Sequence, residues 1–120
     1  MAKKVVHQNR IEMLQGTLDL LVLQTLRWGP RHGYGIAQMI QASSQQALQV
    51  ETGSLYPALH RLERKKLIAA DWQISENKQR VRVYRLTTAG KKQLVAEQTW
   101  WSRLSVAVAS LAVPPAAESE

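Results

Sequence analysis

Between residues 60 and 92 the chain carries Arg61, Arg64, Lys65, Lys66, Lys78, Arg80, Arg82, Arg85, Lys91 and Lys92, opposed there only by Glu63, Asp71 and Glu76. Guanidinium and ammonium groups at this density bind phosphate oxygens, and they gain free energy by releasing the counterions condensed on a nucleic acid. The whole chain shares the bias, with a formal net charge of +7 and a pI near 10.2. A solubilising surface is the plain alternative for such a charge, but the clustering favours a polyanion partner. Other chemistries lack their parts. His7, His32 and His60 stand apart from any nucleophile or metal-ligand spacing, no phosphate loop occurs, and there is no cysteine. No catalytic residue, metal site or cofactor is therefore expected, and the chain reads as something other than an enzyme.

A chain without thiols suits the reducing cytoplasm. The opening MAKKVVHQNRIEM has bases but no apolar stretch of signal-peptide length, and no segment offers the roughly 20 apolar residues that cross a bilayer. A soluble, cytoplasmic protein without a membrane partner is expected. At 120 residues and 45% apolar composition, one compact domain with an added element fits.

The elements that must carry these bases follow from periodicity. After a candidate cap at Thr17, Leu18, Leu21, Val22, Thr25 and Leu26 mark one face of a helix that Gly29-Pro30 ends. A second helix begins near Gly33, with Ile36, Met39 and Ile40 inward, and exits through Ser43-Ser44. In GSLYPALHRLERKKLI, residues 53–68, Leu55, Leu59 and Leu62 predict a third helix, capped by Thr52 or Ser54 with Pro57 in or near its first turn. The period then drops to two. Ile68, Ala70, Trp72 and Ile74 share one face of a strand, Arg82, Tyr84 and Leu86 alternate in a second, and residues 75–79 join them as a hairpin. Thr87-Thr88 caps a long helix in which Leu94, Trp101, Leu104, Val108 and Leu111 advance with heptad spacing.

Short helices followed by a basic hairpin predict a mainly α fold with a small β-hairpin, a winged helix-turn-helix whose third helix enters the major groove. Residues 1–12 read as an N-terminal arm, 13–87 as the DNA-binding domain, 88–112 as a C-terminal dimerisation helix and 113–120 as a disordered tail. With its leucines turned inward, the third helix presents Ser54, Tyr56, Pro57, His60, Arg61 and Arg64 outward. Ser54 and Tyr56 can bond phosphate or base edges, Arg61 can pair bidentately with guanine, and Arg64 or Lys65 can clamp phosphate. Each has a plainer use. Tyr56 equally suits packing against the first turn, the bases from Arg64 complement the helix dipole, and His60 suits a solvated position. In the wing, Lys78, Arg80 and Arg82 can meet phosphates or lean into a minor groove, or can simply guard a sheet edge.

MLQGTLDLLVLQTL, HGYGI, GSLYPALHRLERKKLI, YRLTTAGKKQL and the tryptophan-bearing helix, in that order from about Met13 to Leu111, resemble the PadR family of bacterial transcriptional regulators. The resemblance implies a winged helix-turn-helix dimer that represses transcription until a small molecule relieves it. It also implies DNA contact from Ser54, Tyr56, Pro57 and Arg61, supported by Tyr34, Arg80 and Arg82. Glycine is frequent in that family where Lys66 stands, and NKQRVRV replaces a Gly-rich, more basic wing turn.

The heptad stripe is best buried between two copies, which would set two recognition helices about 34 Å apart on a pseudo-palindromic duplex. Some relatives hold planar aromatic or cationic compounds between subunits at a tryptophan that Trp101 resembles, so Trp100 and Trp101 are candidate stacking residues for such a ligand. Packing within the dimer core is the simpler use of Trp101. A winged-helix module for protein interaction or ligand sensing, with DNA binding secondary, is the competing reading; a steep salt dependence of duplex binding separates the two.

Overall fold

The computed structural model describes residues 15–115. The expected arm at 1–12 and residues 116–120 of the expected tail lie outside the described residues. In order, the elements are helix α1 (Gln15–Leu26), strand β1 (Arg31–His32), α2 (Gly33–Ser43), α3 (Thr52–Arg64), β2 (Ile68–Ile74), β3 (Arg80–Leu86) and α4 (Thr88–Leu111). Among the described residues, no helix is long and apolar enough to cross a membrane.

Spacing decides the core. Leu18, Val22, Leu23 and Leu26 from α1, Ile36 and Ile40 from α2, Leu55, Ala58, Leu59 and Leu62 from α3, and Ile68, Tyr84 and Leu94 form one buried cluster. Burial pushes the Tyr84 phenol above its ordinary value, while the neighbouring Arg82 pulls against that shift. The expected period-two faces pair in register, Ile68 opposite Leu86, Ala70 opposite Tyr84, Trp72 opposite Arg82 and Ile74 opposite Arg80. Inner residues of this shared face enter the core, and the face becomes exposed towards the hairpin tip. β1 makes the sheet three-stranded and antiparallel in the order β1-β3-β2, with Arg31 opposite Tyr84. The sequence reading had two strands, because two residues are too few to carry a periodicity.

Helix starts depart from expectation. α1 already runs at Gln15, so Thr17 lies within it and is not its cap. Glu51 stands at the N-cap of α3 without a side-chain cap bond, displacing both Thr52 and Ser54 from that role. Pro57 thus falls at the sixth helical position, where the intrahelical bond to Gly53 is forgone. At the other end of α3, Leu67 N–H donates to Leu62 C=O at 3.0 Å and Lys66 N–H to Glu63 C=O at 2.9 Å, the paired bonds of a Schellman stop. That geometry puts Lys66 at φ 62°, the conformation for which glycine is preferred.

The start of α4 is fastened to this stop. Thr87 Oγ1 accepts from Gly90 N–H at 3.0 Å, and the same hydroxyl reaches the carbonyls of Lys66 (2.7 Å) and Leu67 (3.0 Å). Its early turns pack against α1 and β3, and every residue of α4 from Thr99 onward is exposed. The radius of gyration, 17.8 Å, exceeds the roughly 13 to 14 Å of a compact chain of this length, as a projecting helix requires.

Candidate nucleic-acid interface

α3 is anchored by its leucines and leaves Ser54, Tyr56, Pro57, His60, Arg64 and Lys65 exposed. Positions 53, 56, 57, 60 and 64 follow the helical repeat, so they form one continuous outward stripe. Neither the hairpin nor α4 covers it in the chain. Arg61 is the exception. Its Nη2 donates to Asp19 Oδ1 of α1 at 2.8 Å, with side-chain exposures of 19% and 11%. The outward position expected for Arg61 is corrected accordingly: a carboxylate 42 residues away draws the guanidinium inward.

The HGYGI segment supplies the adjoining wall. His32 caps α2, its Nδ1 accepting from Gly35 N–H at 3.0 Å. Gly33 is buried beneath Tyr56, and a Cβ there would lie 2.8 Å from the phenol oxygen. Tyr56 is thereby both half-packed and exposed at its other edge, which joins the two uses weighed for it from sequence. Tyr34 is exposed, with its ring parallel to that of His32 at 6.4 Å.

On the hairpin, Lys78 occupies a left-handed turn position closed by Lys78 N–H to Ser75 C=O and Ser75 N–H to Gln79 C=O. Arg80 is exposed and lies 4.4 Å from the centroid of Trp72. Arg82 is held differently: its Nη2 donates to Glu63 Oε2 of α3 at 2.8 Å, and its guanidinium sits near both Trp72 and Tyr84. It braces the wing against α3, so its freedom to meet a phosphate is smaller than the sequence suggested. Trp72 is 57% exposed. The sequence reading placed it on the correct strand face but gave it no role in binding. A cleft of about 470 Å³ separates the wing from the α2–α3 corner, walled by Tyr34, Tyr56, Trp72, Arg80 and Arg82 among others.

The heptad stripe of α4 divides. Leu94 is 3% exposed and belongs to the chain's own core, a correction to its place in the expected seam. Gln98 of the next turn bonds Gln24 of α1, which keeps that part of α4 on the domain. Trp101, Leu104, Val108 and Leu111 are exposed, Leu111 to 86%. Trp100 and Trp101 are exposed as well, with ring centroids 6.4 Å apart and planes at 42°. Among the described residues no cluster of side chains suits a metal ion.

Comparison with known proteins agrees with this architecture. An uncharacterised protein of Lysinibacillus sphaericus is 30% identical over 96 residues, which are 79% of this chain and 87% of that one. The crystal structure of a PadR family transcriptional regulator from Eggerthella lenta is similar at a TM-score of 0.70 and 28% identity, covering 95% of this chain and 93% of that one. A PadR-like transcriptional regulator from Bacillus cereus is similar at a TM-score of 0.73 and 26% identity, over 86% and 98% of the two chains. The sequence pattern of the transcriptional regulator PadR-like family matches residues 22–96. That span takes in the wing, the anchored α3 and the HGYGI corner just described, and the chain belongs to the PadR-like family of DNA-binding transcriptional regulators.

Proposed function

We propose that this regulator, one of a family of non-enzymatic DNA-binding proteins, acts in the cytoplasm as a homodimeric repressor on a pseudo-palindromic operator and releases it when a small planar aromatic ligand binds. The observation that carries the reading is the uncovered stripe of α3, flanked by the free cations of the wing. Tyr56 and His60 read base edges from that stripe and the exposed Ser54 from its flank, while Arg64, Lys65, Lys78 and Arg80 fix the register on the phosphates, with Pro57 shaping the approach. Duplex binding measured over a range of salt tests it. Arg64→Ala is expected to weaken operator and unrelated duplex by a similar factor, and to flatten the slope of log affinity against log salt by about 0.9. Binding that ignores salt, or an Arg64→Ala slope equal to that of the parent, would count against this interface.

Two-fold assembly is supported by the exposed stripe on α4, a helix about 36 Å long from its 24 residues. Pairing Trp101, Leu104, Val108 and Leu111 with their copies removes apolar area from water and places two α3 helices for successive turns of DNA. Trp100 and Trp101 then border the seam, where an aromatic ligand could stack and change the spacing of the two reading heads. Leu104→Asp would bury a carboxylate in that seam and is expected to raise the dimer dissociation constant at least about a hundredfold. Sedimentation velocity should return a monomer at concentrations where the parent is dimeric; a surviving dimer places the interface elsewhere.

A further inference from the structure

The wing carries an exposed tryptophan that neither the core nor the reading helix uses. Trp72 lies on the strand face that buries Ile68, yet it stays open to solvent, with Ile74 beside it also exposed. Arg80 lies 4.4 Å from its ring centroid and Arg82 5.7 Å, so two cations fix the indole plane. The hydroxyl-bearing Tyr34, Tyr56 and Ser75 line the same cleft. Among the described residues no carboxylate lines the cleft, and the nearby Glu63 is already bonded to Arg82. An apolar plate, hydroxyl donors and an uncompensated cation in one trough complement a chain of alternating sugars and phosphates.

Duplex geometry says which chain that is. When a helix occupies the major groove and a wing reaches the adjacent minor groove, the strand dividing the two grooves must pass between them. Resting on the DNA-binding reading above, we propose that the cleft between the wing and the α2–α3 corner seats one sugar-phosphate strand of the duplex, with the Trp72 indole against a deoxyribose and Arg80 and Tyr34 bonded to the flanking phosphates. Trp72 is then a contact residue that contributes no charge, and the wing's hold on DNA is partly apolar. Because the contact is to backbone, it is independent of sequence.

The independence allows a test with a mixed-sequence DNA duplex titrated at several salt concentrations. Trp72→Ala is expected to lower affinity about tenfold, the scale on which aromatic platforms contribute to nucleic-acid binding, while leaving the salt slope at the parent's value. Trp72→Phe should recover most of the loss, and Arg80→Gln should flatten the slope by about 0.9. Thermal melts followed by circular dichroism check that each variant is folded. Parent-like affinity in Trp72→Ala overturns the proposal. So does a flattened slope in that variant, since the indole would then merely hold Arg80 in place. Failure of the parent chain to bind any duplex at low salt is a separate result, which sinks the DNA reading itself.

Discussion

Gly90→Ala should cost this protein about 3 kcal/mol or more of stability and lower its melting temperature by on the order of 12 to 20 °C. A Cβ at that position would lie 1.9 Å from the carbonyl oxygen of Leu67 and 3.1 Å from a methyl of Leu86. The oxygen cannot step aside cheaply. It accepts from Thr87 N–H at 3.1 Å and from the Thr87 hydroxyl at 3.0 Å, while Leu67 N–H closes the Schellman stop of α3. Any shift that admits a methyl group therefore loosens the end of α3, the cap of α4 and the seat of Leu94 together. Ala89→Gly, one residue earlier on the exposed side, provides the contrast: it changes helix propensity alone and should cost about 1 kcal/mol. A melt of Gly90→Ala within the error of Ala89→Gly would mean that α4 does not approach the α3–β2 corner so closely.

That corner also separates what a sequence discloses from what it withholds. Leu55, Leu59 and Leu62, or Ile68 and Tyr84, could be assigned inward because burial repeats with the period of the backbone, and the periodicity is local. The same local logic located the start of α2 and the cap of α4 to within a residue, and it gave Trp72 and Arg82 each a face on its own strand, which the sheet then pairs. What remained hidden depends on neighbours distant in sequence. The heptad spacing that links Leu94 to Trp101 continues unbroken along α4, yet the first of these leucines faces α1 and the core while the later residues face solvent. Nothing in the spacing marks where the domain ends beneath the helix. Likewise Gly33 reads only as the start of a helix until Tyr56, on another helix, is found lying over it. Wing charge was legible as a total; its division into a free Arg80 and a bonded Arg82 followed from Glu63 on α3.

The arginine on the reading helix is the sharpest case, and it yields an experiment in which two roles give opposite results. Arg61 has the spacing and chemistry to pair with guanine, but its Nη2 is bonded to Asp19, whose side chain is only 11% exposed. If the pair is a strut between α1 and α3, Arg61→Ala strands a largely buried charge and should cost about 2 to 3 kcal/mol, toward the low end of broken buried pairs because both groups retain some solvent. Asp19→Ala should cost less, since the freed guanidinium can turn to water, and the double variant should fall short of the summed losses by about 1 kcal/mol or more. Denaturant melts of the four proteins measure that coupling. Operator binding at a temperature where all four are folded then separates the roles. A strut predicts that Arg61→Ala and Asp19→Ala bind the operator with similar affinity, because neither side chain touches DNA. A base reader predicts that Arg61→Ala alone loses about 1 to 3 kcal/mol, concentrated at one base pair of each half-site. Since Asp19 and DNA would compete for the same guanidinium, Asp19→Ala should in that event bind more tightly than the parent; a tighter Asp19→Ala would show that the ion pair restrains the reading helix as well as supporting it.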